Sequence, residues 1–133
     1  MSQMSGMTAG VKPASSTPFL QQMSDEMRRC IQDCLECANI CEQTIAFCLR
    51  QGGKHAAPEH IALLQDCVES CTMSASMMAR NSQFSADHCA MCAEICRACE
   101  ESCERLGGDA QMKACAEACR MCADSCRKMS KAA

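Results

Sequence analysis

Three segments of the chain carry one spacing, C-x3-C-x2-C-x3-C: Cys30, Cys34, Cys37 and Cys41; Cys92, Cys96, Cys99 and Cys103; Cys115, Cys119, Cys122 and Cys126. Steps of four and three keep successive side chains on one face of an α-helix. Cys48 continues the first stripe seven residues on, and Cys89 stands just ahead of the second. A further segment holds only Cys67 and Cys71, but His60, Leu64, Ser74 and Met78 extend its stripe at the same steps. Other positions are charged, with Glu94, Arg97, Glu101 and Glu104 on one segment and Glu117, Arg120, Asp124 and Arg127 on another. The cysteine faces therefore turn inward and the charges outward.

Helix punctuation divides the chain to match. Thr17-Pro18 reads as an N-cap with proline at the first helical position, and Gly52-Gly53 ends that helix. Pro58 starts a second helix that runs to about Arg80-Asn81. Ser85 is the expected N-cap of a third, closed by Leu106-Gly107-Gly108, and Asp109 caps a fourth running towards Met129. The expected fold is all-α, an up-down-up-down antiparallel four-helix bundle with a Cys-lined core. Residues 1–17 read as a flexible N-terminal tail and 18–133 as the bundle domain.

Composition explains what fills such a core. Leu, Ile, Val and Phe number only 16 among 133 residues, and Trp and Tyr are absent, yet the net charge of −3 is too small to imply disorder. In their place stand 16 Cys and 12 Met. A free cysteine packs as a small hydrophobe and methionine as a flexible filler. Thirteen basic against sixteen acidic side chains give no basic field for nucleic acid, and no platform of stacking aromatics exists. No stretch approaches the length of a membrane span.

Cysteine at this density in a short chain reads as a disulfide scaffold when an export signal precedes it. The start, MSQMSGMTAGVKPASSTPFL, has neither a basic n-region nor an apolar h-region, so the expected compartment is the cytoplasm, where thiols stay reduced. Sixteen reduced thiols in one small domain point to metal. On a helix, cysteines four apart have Cβ atoms roughly 5–6 Å apart, too far for an unstrained disulfide but within reach of a bridging ion. Cu(I) is soft and is satisfied by two sulfurs, whereas zinc takes four donors at tetrahedral corners. Charge sets the load: sixteen bare buried thiolates are prohibitive, and one Cu(I) per thiolate leaves a neutral interior. The expected cargo is therefore multiple Cu(I) ions, about one per cysteine.

These repeated stripes strongly resemble the cytosolic branch of the bacterial copper-storage proteins, over roughly residues 20–130. The resemblance implies a four-helix bundle that holds Cu(I) along its core and assembles as a homotetramer. It carries the ligand role onto all sixteen cysteines, namely Cys30, Cys34, Cys37, Cys41, Cys48, Cys67, Cys71, Cys89, Cys92, Cys96, Cys99, Cys103, Cys115, Cys119, Cys122 and Cys126. The copper donor and acceptor are not readable.

The two ends of such a bundle differ. Met23, Met27, Cys30, Met77, Met78, His88, Cys89, Cys126 and Met129 collect at one end, and thioethers pass Cu(I) on readily, so this is the candidate mouth. Phe47, Leu49, Ile61, Leu63 and Leu106 gather at the other as a candidate plug, near Cys48 and His60. His60, His88, Met78 and Met129 are additional candidate ligands. His55, in the Gly-Gly-Lys-His loop, reads as a solvated surface residue. The Met1, Met4, Met7 spacing resembles a copper-capturing tail. Competing readings are interhelical disulfides, an iron–sulfur protein, a thiol core without metal, and a delivery module. Catalysis lacks support, since a nucleophile needs one activated thiol rather than sixteen in repeats.

Overall fold

The computed structural model describes residues 17–132. The expected tail, Thr17 aside, and its Met1, Met4 and Met7 lie outside the described residues. A single helical turn spans Pro18–Gln21, and four long helices follow: α1, Asp25–Gln51; α2, Pro58–Ala79; α3, Ser85–Arg105; α4, Ala110–Ala132. A 3-10 turn, Gly53–Ala56, links α1 to α2. Each helix packs on its neighbours in sequence, and α1 closes the ring against α4. The up-down-up-down bundle expected from the cysteine spacing is the observed architecture. No described helix is long and apolar enough to cross a membrane.

The helix boundaries follow from local chemistry. Thr17-Pro18 starts only the isolated turn; α1 itself starts after Ser24, whose Oγ accepts from the Met27 N–H at 3.1 Å. Asp25 and Glu26 then complement the positive helix N-terminus. The α2 end is a Schellman motif: Ser82 N–H donates to Met77 O at 2.9 Å and Asn81 N–H to Met78 O at 3.0 Å, with Asn81 left-handed at φ 55°. Ser85 is not the cap of α3. The chain enters through a tight turn, Ser85 N–H to Ser82 O at 3.1 Å, which leaves Ser85 already helical and makes Phe84 the cap position. The Ser85 hydroxyl is buried without a hydrogen-bond partner among the described residues. Asp109 does cap α4, accepting from Met112 N–H at 2.9 Å.

All sixteen cysteines are fully buried. With them lie Leu64, Met78, Met112 and Thr44, and a set of alanines that includes Ala75, Ala93 and Ala123. Small residues let the helices approach closely, so the core is narrow and made largely of sulfur.

Candidate metal centre

Because each stripe faces the bundle axis, thiols from different helices meet at successive levels. Starting from the end that holds the start of α1, Cys30, Cys89 and Cys126 form a three-thiol group. Four groups of four follow. The first is Cys34, Cys92, Cys122 and Cys126; the second Cys37, Cys71, Cys96 and Cys122; the third Cys37, Cys41, Cys67 and Cys119; the fourth Cys41, Cys99, Cys115 and Cys119. Within each group every Sγ lies within 4.8 Å of every other. Cys103 sits beside Cys99 and Cys115, outside these groups.

Sequence reasoning pictured two-donor sites running along single helices. Pairs four apart do meet, with Cys37–Cys41 at 4.0 Å and Cys67–Cys71 at 3.9 Å. Contacts between helices are at least as close: Cys34–Cys122 at 3.5 Å, Cys71–Cys96 and Cys71–Cys122 at 3.6 Å, Cys37–Cys67 at 3.7 Å. The donors therefore pool across the bundle instead of staying on one helix. α2 contributes only two cysteines, but both are central, Cys71 to the second group and Cys67 to the third. All sixteen are free thiols, and these distances are far beyond a disulfide bond of about 2.05 Å.

Protons in this interior belong to the network. Contacts with Cys119 and Cys37 hold Cys67 low, while contacts with Cys122 and Cys34 push Cys71 up. At the two ends the picture is simpler. Burial, helped by Cys115, pushes Cys48 up to about 11. Cys89 is pushed up to about 12: its contact with Cys126 favours the thiolate, but Cys30 and burial outweigh it.

The additional candidates are placed unevenly. His60 is buried, with Nε2 3.4 Å from Cys48 Sγ and Nδ1 2.8 Å from Ser102 Oγ. Met78 is fully buried and accepts from the Cys89 thiol at 3.8 Å, and Met129 is buried on α4. His88 is half-buried, and its Nδ1 meets Ser74 Oγ at 2.7 Å. His55 is not a solvated loop residue: its Nε2 lies 3.0 Å from Asp109 Oδ2, and its ring packs edge-on against Phe47.

At the mouth, Met23 and Met27 are half-buried against the core, and Met77 is half-buried. At the opposite end Phe47, Ile61 and Leu106 pack on the core and Leu63 is half-buried. Leu49 is 57% exposed and takes no part in the plug. Sequence reasoning missed Thr44 and Met112. Thr44 donates to Ile40 O at 2.8 Å and accepts from Gln111 Nε2 at 3.0 Å, tying α1 to α4. Its place between Cys41 and Cys48, on the same stripe, was the available signal.

The copper storage protein family model matches residues 23–131. A protein of Nitrosospira multiformis of known structure is 39% identical, covering 84% of this chain and all of its own, with a TM-score of 0.79. The Cu(I)-bound copper storage protein BsCsp3 is 32% identical over 80% of this chain and 99% of its own, with a TM-score of 0.74. A Streptomyces lividans copper storage protein loaded with 10 copper equivalents is 28% identical over 85% and 96%, with a TM-score of 0.72.

Proposed function

The chain belongs to the copper storage protein family, and from that premise we propose how its interior holds the cargo. The protein stores Cu(I) at high capacity on cysteine thiolates inside a four-helix bundle. In this reading all sixteen cysteines are ligands and the load is about one Cu(I) per cysteine. Shared thiols carry the arithmetic: Cys37, Cys41, Cys119, Cys122 and Cys126 each belong to two groups, as bridging thiolates do. If each copper takes two sulfurs and each sulfur serves two coppers, copper and cysteine counts are equal, and the interior is neutral.

The single observation that carries the reading is the sulfur ladder itself: sixteen buried free thiols, fourteen of them in overlapping groups. His60 joins Cys48 as the terminal donor at the plugged end. Met78 and Met129 assist Cys30, Cys89 and Cys126 at the mouth, and His88 stands beside them. The role is storage, not catalysis, with the protein held in the cytoplasm as a homotetramer.

Anaerobic Cu(I) titration of the reduced chain tests this. Uptake of about one copper per thiol supports it, and saturation at one or two ions sinks it in favour of delivery. The oligomer is read separately by light scattering, where a monomer would remove the tetramer.

A further inference from the structure

The overlap among the four-thiol groups limits any ion that demands four donors of its own. The first and second groups share Cys122, the second and third share Cys37, and the third and fourth share Cys41 and Cys119. We propose that the bundle also takes up thiophilic divalent ions of the zinc and cobalt(II) kind, as tetrahedral tetrathiolate sites, two per chain. The proposal rests on the reading that these thiols serve as metal ligands.

Geometry permits each site. Four sulfurs about 2.3 Å from a tetrahedral ion stand about 3.8 Å apart. Within the groups, Cys71–Cys122 is 3.6 Å, Cys41–Cys115 is 3.8 Å and Cys67–Cys119 is 3.9 Å. A single helix cannot offer four such donors, but the interleaved helices do.

The number follows from sharing. Only groups without a common cysteine fill side by side: first with third, first with fourth, or second with fourth. Each choice uses eight of the sixteen thiols, four for each of two ions. A third tetrathiolate site needs a bridging thiolate, and the group of Cys30, Cys89 and Cys126 offers three sulfurs, not four. Each ion displaces four thiol protons and leaves a site of net charge −2, so a third would also deepen an already costly buried charge. One Cu(I) per thiolate leaves no such charge, and Cu(I) therefore expels the divalent ions.

Anaerobic titration of the reduced full chain with Co(II) tests the proposal through its tetrahedral thiolate absorption. The band should rise to a break at two equivalents and vanish when Cu(I) is added. Cys122→Ser deletes the first and second groups, and the remaining two share cysteines, so the break should fall to one. Cys41→Ser deletes the third and fourth and should do the same, whereas Cys67→Ser deletes only the third and should leave the break at two. An octahedral cobalt spectrum throughout, or an equal break in Cys122→Ser and Cys67→Ser, overturns the proposal. A parallel Cu(I) titration separates the failures. If copper uptake stays near one per thiol, only the divalent sites are wrong; if it collapses as well, the ligand reading itself is wrong.

Discussion

His60 Nε2 faces Cys48 Sγ at 3.4 Å while its Nδ1 meets Ser102 Oγ at 2.8 Å. Burial holds this imidazole below the usual histidine range, so it is neutral at pH 7 and can offer a lone pair. The hydroxyl on the other nitrogen fixes the ring's orientation, as a partner behind a metal-binding histidine does. Neither Cys48 nor His60 belongs to the three- and four-thiol groups. Cys48 and His60 thus form a sulfur–nitrogen pair of their own. His60→Ala should lower copper capacity by about one ion and remove the nitrogen contribution from copper X-ray absorption spectra. Ser102→Ala should keep the ion but weaken it, by about 10–100-fold for an outer-shell partner. An unchanged nitrogen shell in His60→Ala would sink the assignment.

Loading must expel protons. Cys48 at about 11 and Cys89 at about 12 are thiols at neutral pH, and the network between them shares its protons among closely packed sulfurs. Since thiolate is the metal-binding form, each Cu(I) taken up should release about one proton. A weakly buffered anaerobic titration with a pH indicator measures this directly. Release far below one proton per copper would mean that the apo interior is largely ionised, and the charge argument for capacity would fail.

The plugged end carries a pH-sensitive clip. Asp109 caps α4 through Met112 N–H, and its second oxygen meets His55 Nε2 at 3.0 Å. The cap bond first, and then His55, hold the Asp109 carboxyl below the usual carboxylate range. A depressed carboxyl contributes stability that is complete above its unfolded value of about 3.9 and is lost as the pH falls through its folded value. Asp109→Ala should cost about 1 kcal/mol at pH 7, the usual worth of an N-cap, and flatten this part of the acid limb. His55→Ala should cost less, because it leaves the cap intact. Thermal melts of the apo protein from pH 7 to pH 3 check both. An acid limb unchanged in Asp109→Ala would show that the clip is idle.

Most of this architecture was legible because cysteine reports helix phase so cleanly. The spacing of Cys30 to Cys41, repeated twice, fixed which faces turn inward, and His60, Leu64, Ser74 and Met78 extended that reading to the cysteine-poor α2. What the spacing left open was lateral register. Cys71 meets Cys122 and Cys96 because three helices bring them to one level, and no periodicity within a segment encodes that level. The loop residues failed for a related reason. His55 finds Asp109 across 54 positions, and Ser85 loses its cap role to a turn set by the Schellman end of α2.

The two ends should differ in kinetics while sharing one interior. At the mouth, Met78 lies against Cys89, Met129 is buried, and Met23 and Met27 pack against the core. Phe19, Gln22, Met23, Ser24, Met27 and Asn81 line a surface groove of about 300 Å³ beside them. At the far end Phe47, Ile61 and Leu106 cover the core, Thr44 is tied to Gln111, and the His55–Asp109 pair closes over Phe47. Thioether sulfurs bind Cu(I) without a charge to neutralise, so they can receive an ion and yield it to thiolates deeper in. Leucine matches methionine in volume, and the exchange costs less than about 1.5 kcal/mol of stability. Met27→Leu combined with Met78→Leu and Met129→Leu should therefore slow the first phase of Cu(I) uptake in stopped flow by about tenfold, as about 1.4 kcal/mol of lost transition-state stabilisation gives. Final capacity should fall by no more than the coppers those sulfurs assist. Phe47→Ala should leave the first phase unchanged. Faster loading in Phe47→Ala with normal loading in the methionine triple would move the mouth to the opposite end of the bundle.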